Sequence, residues 1–269
     1  MKLTQQNIHI SLTDRKEMEE FLKTELTSNV ELALFTGSHA NPSKVLNNKS
    51  LLLRLKKTFK KYPVKRSIHG PFMDLQYESK DIDIRKINTK RVKDALSVAG
   101  ELRADHMVVH STFNPLMAMA NPQYARIWVE ESYDFWNKIL PHAKRNGCML
   151  CLENIFDKTP LMQKKIIHAI NSPLFKACLD IGHAFIFGSL PMSEWIHLLR
   201  KELYHIHAHD NDGVQDQHWA IGSGAVDYKS IWTALQKIRH VPVFTVEVCT
   251  QAAAQRSLSV IKKLPIAQG

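Results

Sequence analysis

The stretch Tyr204-His205-Ile206-His207-Ala208-His209-Asp210-Asn211-Asp212-Gly213 concentrates side chains that can do chemistry, and it continues into Asp216-Gln217-His218-Trp219 and Gly222-Ser223-Gly224. Four His and three Asp fall within residues 204–218. Leu203, Tyr204, Ile206 and Ala208 interleave with the histidines, so the stretch reads as a strand that runs into a polar, glycine-punctuated loop. A strand that delivers His to its end, followed by a loop bearing Asp and His, is the arrangement a metal site needs. The plain alternative is a polar loop without a ligand.

The elements that must hold these residues alternate. Strand-like runs are Asn7–Leu12, Asn29–Phe35, Val64–His69, Asp105–His110, Cys148–Glu153, Phe175–Asp180, Leu203–His209 and Val243–Val248. Helix-like runs follow each one: Asp14 to about Glu25, a basic helix from after Ser43 to about Tyr62, Asn88–Ala99, Tyr124–Arg145, Leu161–Ile170, Met192–Arg200, Asp227–Ile238 and Ala252–Lys263. Eight such units in 269 residues predict a closed (β/α)₈ TIM barrel, a single domain over 1–269. No G-x-G-x-x-G follows the first strand, which argues against a Rossmann sheet.

Catalytic residues of such barrels sit at the C-terminal ends of strands. The predicted ends carry His69, His110, Glu153, Asp180 with His183 three residues on, His207 with Asp216 and His218 in its loop, and Glu247. These nine residues come from six consecutive strands and would gather on one rim. Any one strand-end His alone reads as hydrogen-bonded filler; nine together do not. His205 reads as filler deeper in the barrel, and His209 and Asp210 as residues that orient His207. His9, His142, His168, His197 and His240 fall outside the pattern and read as structural or exposed. Imidazoles and carboxylates without thiolates suit Mn²⁺, Zn²⁺, Co²⁺ or Fe²⁺ better than Ca²⁺ or a structural zinc.

At 44% hydrophobic the chain can bury a large core. It has no run of membrane-spanning length and no basic-then-apolar leader, which predicts a cytoplasmic protein. Cys148, Cys151, Cys178 and Cys249 lie in apolar runs and read as buried free thiols; the C-x-x-C at 148 and 151 has no second pair.

The motifs Cys151-Leu152-Glu153-Asn154, Cys178-Leu179-Asp180-Ile181-Gly182-His183-Ala184, His207-Ala208-His209-Asp210-Asn211-Asp212-Gly213, Asp216-Gln217-His218 and Thr245-Val246-Glu247-Val248 resemble the xylose isomerase-like TIM-barrel superfamily. That group includes sugar-phosphate isomerases and epimerases and the endonuclease IV-like enzymes of AP endonuclease family 2. The resemblance covers nearly the whole chain. In its epimerase-like branch it implies one divalent metal on Glu153, Asp180, His207 and Glu247, with His183 on substrate. In its endonuclease-like branch it implies three zincs on His69, His110, Glu153, Asp180, His183, His207, Asp216, His218 and Glu247, and all nine residue types match. Three departures disfavour that branch: Ser111-Thr112-Phe113 follows His110 in place of Pro-Gly, Ile155-Phe156 follows Asn154 in place of Thr-Ala-Gly, and the His-Asp-Asn-Asp-Gly wording is closer to sugar isomerases. Phe72 is open to three roles: a wedge in DNA, a cap on a sugar pocket, or loop packing.

The net charge of +10 does not decide for DNA. A DNA enzyme needs its cations on the catalytic face. The basic clusters instead close helices: Lys56, Lys57, Lys60 and Lys61, then Lys144 and Arg145, Arg200 and Lys201, Lys237 and Arg239, Lys262 and Lys263. Helix dipoles favour that placement, on the face opposite the rim. Ser111–Gln123 carries no charge at all, although Lys80, Arg85 and Lys86 leave room for a phosphate. The reading is therefore a metal-dependent isomerase or epimerase of a small sugar or sugar phosphate. Glu153 and Glu247 would move the proton through an enediolate, and His183, His69, Phe72, His110 and Asn154 would contact substrate. The alternative is a multi-zinc phosphodiesterase acting on nucleic acid; a third reading is a non-catalytic sugar- or metal-binding barrel. No membrane partner is implied. Homo-oligomers are common for such barrels, and no exposed stripe marks an interface.

Overall fold

In a computed structural model that describes residues 7–24 and 28–263, eight parallel strands close into a barrel in sequence order. The strands are β1 (Ile8–Leu12), β2 (Asn29–Leu32), β3 (Arg66–His69), β4 (His106–His110), β5 (Met149–Glu153), β6 (Phe175–Asp180), β7 (Leu203–Ala208) and β8 (Val243–Val248). Pairing of β1 with β8 over Ile8↔Phe244 to Leu12↔Val248 completes the ring. Around it run α1 (Arg15–Phe21), α2 (Pro42–Asn47), α3 (Lys49–Lys61), α4 (Ile82–Leu102), α5 (Pro115–Ala120), α6 (Tyr124–Arg145), α7 (Leu161–Ile170), α8 (Ile181–Phe187), α9 (Met192–Leu199), α10 (Tyr228–Leu235) and α11 (Gln251–Ile261). No described helix is long and apolar enough to cross a membrane.

Differences from the sequence reading are local and have physical causes. The basic helix is two helices, because Asn48 leaves helical geometry and its side chain caps Leu51 N at 3.0 Å. Helix α4 is longer than Asn88–Ala99: Asp81 caps its start, and Arg103 ends it in the left-handed region at φ 53°. β2 stops at Leu32, where its pairing with β3 ends, instead of reaching Phe35. Helices α5 and α8 are additional to the sequence reading; Asn114 with Pro115, and Asp180, start them. The predicted helix end at Glu25 lies outside the described residues, and Cys249 is exposed where a buried thiol was expected.

Strand alternation splits the residues into two sets. Ile10, Leu12, Val30, Leu32, Ile68, Leu150, Leu152, Leu179, Ile206 and Val246 pack outward with fully buried Trp128, Trp136, Trp195 and Trp232. The inward set departs from the Val, Ile and Leu layers usual in such barrels. Val108, Cys151 and Cys178 form its small apolar cluster. The rest of the lumen is polar and buried, with His9, Ser11, Glu31, Ser67, His106, His205 and Thr245 below the rim.

Candidate active site

Glu153 ends β5, Asp180 ends β6, His207 sits one residue from the end of β7 and Glu247 one residue from the end of β8. All four are buried. His207 Nδ1 lies 3.2 Å from Glu153 Oε1, 3.2 Å from Glu247 Oε2 and 3.9 Å from Asp180 Oδ2. Asp180 divides its carboxylate: Oδ1 accepts from His183 N and caps α8, while Oδ2 is buried with no hydrogen-bond partner.

Two further groups flank this centre. On one side, His69 Nε2 and His110 Nε2 approach Glu153 Oε2 at 3.7 and 3.5 Å and each other at 3.2 Å. On the other, the ligand atoms of His183, His209, Asp216 and His218 lie within 4.8 Å of one another. Asp216 Oδ2 stands 3.2 Å from both His183 Nε2 and His218 Nε2. His218 adopts φ 49°, an uncommon conformation for a residue with a side chain, and its ring stacks on His209 at 3.9 Å. Gly182 makes room for that pair, since a Cβ there would meet His209 Cε1 at 2.0 Å. A cavity of about 220 Å³ opens over the three groups between Thr13, Thr36, Phe72, His110, His183 and Glu247; no described Lys or Arg lines it.

All nine rim residues named from the sequence thus converge. Phe72 lines the cavity and sets its ring against His69 and His110 at 5.4 and 5.3 Å between centroids. Asn154 is placed differently from expectation. Its amide is spent on the Asp180 backbone, accepting from Asp180 N at 2.9 Å and donating to Asp180 O at 3.0 Å, so it braces β6. Neither His209 nor Asp210 orients His207. His209 Nε2 faces Asp180 and Asp216 at 3.3 and 3.6 Å. The Asp210 carboxylate accepts from the backbone N–H groups of Asn211, Gly222 and Val226 and shapes the loop. The residue that meets His207 from behind is Glu31, at 2.8 Å from Nε2; sequence reasoning missed it inside the apolar run of β2. His9 and His205 are buried lumen residues, joined there by His106, which the pattern did not single out. Lys80 and Arg85 pair with Glu131 and Lys86 with Asp83, so the cations that left room for a phosphate already have carboxylate partners.

Burial resists the ionisation of Glu153, yet the His207 and His110 imidazoles beside it hold its carboxyl well below the usual range. Asp180 is lowered against burial by His183 and His209. Burial works against charge on His207 and His183 too, but the surrounding acids raise both well above the ordinary imidazole value: Cys178, Glu247, Glu31 and Glu153 around His207, Asp180, Asp216 and Glu153 around His183. His218 is raised to about 9 by Asp216 and Glu247 in spite of its burial. Burial dominates at His110 and pushes it down to about 3. Converging carboxylates here hold protons on imidazoles whose nitrogens point inward, and a divalent cation would take the place of those protons. The orphaned Glu153 Oε2 and Asp180 Oδ2, both fully buried, fit that exchange: an unpaired buried carboxylate oxygen is costly until a cation or donor meets it. The donor set of one imidazole and three carboxylates suits a divalent ion of the Mn²⁺, Zn²⁺ or Co²⁺ kind.

A closed eight-stranded barrel with His, Asp and Glu at its C-terminal rim defines a class, and the comparisons agree with it. The chain belongs to the xylose isomerase-like TIM barrel family, which matches residues 30–264. It is 27% identical over 212 residues to an uncharacterised protein of Methanocaldococcus jannaschii, covering 76% of this chain and 71% of that protein. It superposes on the crystal structure of a D-tagatose 3-epimerase-like protein with TM-score 0.79 at 25% identity, covering 96% of each chain. A protein from Thermus thermophilus soaked with ZnCl₂ shares the fold with TM-score 0.73 at 23% identity, covering 95% of this chain and 96% of that one.

Proposed function

We propose that this protein is a divalent-metal-dependent isomerase or epimerase of a small sugar. The observation that carries the reading is the convergence of Glu153 and Glu247 on one imidazole nitrogen, each at 3.2 Å from His207 Nδ1, at the floor of a cavity that no described Lys or Arg lines. A volume of about 220 Å³ falls below the roughly 300–1,000 Å³ of drug-sized ligand pockets, which favours a small substrate. Likeness to a D-tagatose 3-epimerase-like protein supports the same substrate class.

An ion on Glu153, Asp180, His207 and Glu247 would supply Lewis acidity to adjacent carbonyl and hydroxyl oxygens. Glu153 and Glu247 come from strands β5 and β8, on different sides of the barrel mouth. One carboxylate removes the proton next to the carbonyl and the other, protonated, returns one to the opposite face of the same carbon, which is epimerisation; return of the proton to the former carbonyl carbon, with the hydroxyl proton passed between the two oxygens, is isomerisation. His183 and His110 line the cavity as partners for substrate hydroxyls, and Phe72 closes its side. Exclusion of water by this lining strengthens every charge interaction inside.

The other two groups of ligand-type side chains favour a second reading, a multi-zinc phosphodiesterase acting on nucleic acid. Elemental analysis of protein purified without a metal-affinity tag separates the two. About one exchangeable ion per chain, with turnover of a ketose, supports the sugar enzyme. About three zincs per chain, with cleavage of an abasic-site duplex and no turnover of ketoses or ketose phosphates, overturns it.

A further inference from the structure

We infer that Glu31, on β2, is a positioning residue that keeps the proton on His207 Nε2, so that Nδ1, which faces Glu153, Asp180 and Glu247, is the nitrogen that gives up its proton to a cation. The inference rests on the four-residue centre proposed above. Glu31 is fully buried in the barrel lumen, and its Oε1 lies 2.8 Å from His207 Nε2. The contact is not aligned as a hydrogen bond, yet a carboxylate oxygen has only lone pairs to offer, so a bare imidazole nitrogen at that distance is repelled and a protonated one is attracted. The reversed tautomer would set an imidazole lone pair against Glu31 and leave Nδ1–H where a cation's ligand is needed. A carboxylate behind a metal-ligating His fixes the ring and raises its basicity.

The structure holds Glu31 in turn. Its Oε2 accepts from Ser67 Oγ at 3.0 Å and stands 3.3 Å from His205 Nε2. His205 Nδ1 meets His106 Nε2 at 2.6 Å, and Ser67 Oγ meets His9 Nδ1 at 3.1 Å. One assignment of protons is consistent with these contacts. His106 donates to His205, whose Nε2 hydrogen-bonds Thr245 Oγ1 at 2.8 Å beside Glu31; His9 donates to Ser67, which donates to Glu31; and protonated His207 Nε2 faces Glu31 as a close charge contact. A single carboxylate therefore accepts from β3 and faces two imidazoles of β7, which explains an acid in the middle of an apolar strand. Neither the fold nor the proton-transfer step calls for one there.

The test is titration of the full chain with Co²⁺, whose visible absorption reports the geometry of its ligands, with melting of the ion-free protein recorded alongside. Glu31→Gln keeps the shape and an acceptor oxygen but removes the charge. Glu31→Leu removes the acceptor as well. The expected result is graded: Co²⁺ affinity falls about 10-fold in Glu31→Gln and about 100-fold in Glu31→Leu. The Co²⁺ spectrum shifts in the second, and the melting point of Glu31→Gln without the ion stays near that of the parent. Parent-like affinity and spectrum in a folded Glu31→Gln would overturn the inference while leaving the centre standing. A parent chain that binds no Co²⁺ would overturn both. If the Glu31 variants do not fold, Ser67→Ala decides: a several-fold loss of affinity supports the role, and none contradicts it.

Discussion

Glu153 carries the heaviest demands of any residue in the site. It faces His207 and His183 on one oxygen and His69 and His110 on the other, and so touches all three groups of ligand-type residues. Glu153→Gln keeps its volume but removes the charge and the base. We expect turnover to fall about 10³-fold, with the melting point within a few degrees of the parent, checked by a ketose assay beside calorimetry. The imidazoles make a second prediction. His207 and His183 are raised well above the ordinary value and His218 to about 9, so all three hold protons at neutral pH in the ion-free protein. A metal takes only the neutral ring. Binding therefore releases protons, and affinity rises with pH and falls as pH drops. Calorimetry in buffers of different ionisation enthalpy reads that release directly. Much of this scale was legible in the sequence, because strand ends in a barrel can be located and all nine rim residues lie at or just beyond them. Glu31 and His106 were not legible. They lie inside strands, where lumen and helix faces differ by one residue and an isolated polar side chain carries no sign of which layer it occupies. His209 was misread for a related reason: β7 ends at Ala208, so His209 leaves the strand and turns to Asp180 instead of orienting His207.

Each loop after a strand does a different job for the site. The β6 exit places Asp180 so that one oxygen caps α8 and the other faces the centre, and Asn154 from the β5 exit clamps its backbone. Short caps of this kind explain why α5 and α8 went unread: each is six or seven residues long, too brief for a hydrophobic repeat to declare itself. Tyr124–Arg145 and Leu161–Ile170 were read to the residue, whereas α4 extends beyond Asn88–Ala99 at both ends. Asp157, in the loop after β5, gives this scale its prediction. It is buried, and burial raises its carboxyl to about 7; hydrogen bonds from the Ile155 N–H and the Ser111 hydroxyl only partly oppose the rise. A carboxyl that holds its proton more tightly in the folded chain stabilises the fold fully at pH below about 4, where both states are protonated, and that advantage is lost as pH rises toward about 7. Asp157→Asn has no proton to lose. Its stability relative to the parent should therefore grow between about pH 4 and 7, by on the order of a few kcal/mol, and level off above. Urea denaturation across that range checks it; a difference independent of pH would contradict it.

At the scale of the whole molecule the charge is segregated. The chain carries +10, yet no described Lys or Arg lines the cavity over the candidate site, and Lys80, Arg85 and Lys86 of the β3 loop and α4 are tied to Glu131 and Asp83. The excess gathers at helix C-termini such as Lys60–Lys61 of α3 and Lys144–Arg145 of α6. There it complements the helix dipoles. The barrel was legible from eight alternating runs, because parallel strands covered by helices leave an apolar signature. The polar lumen was not, since chain order says nothing about which inward side chains meet across the ring. Such an architecture suits the small neutral ligand of the proposed function and offers a polyanion no bed of Lys or Arg among the described residues of the cavity. The most direct test of the central claim is exchange of solvent deuterium into sugar. Metal-loaded protein is incubated in D₂O with a panel of free ketoses and followed by proton NMR. The account predicts loss of the signal from the carbon next to the carbonyl of at least one ketose, with epimer or aldose appearing, and no exchange with Glu153→Gln. Absence of exchange in every ketose, alongside cleavage of a phosphodiester by the same preparation, would contradict it.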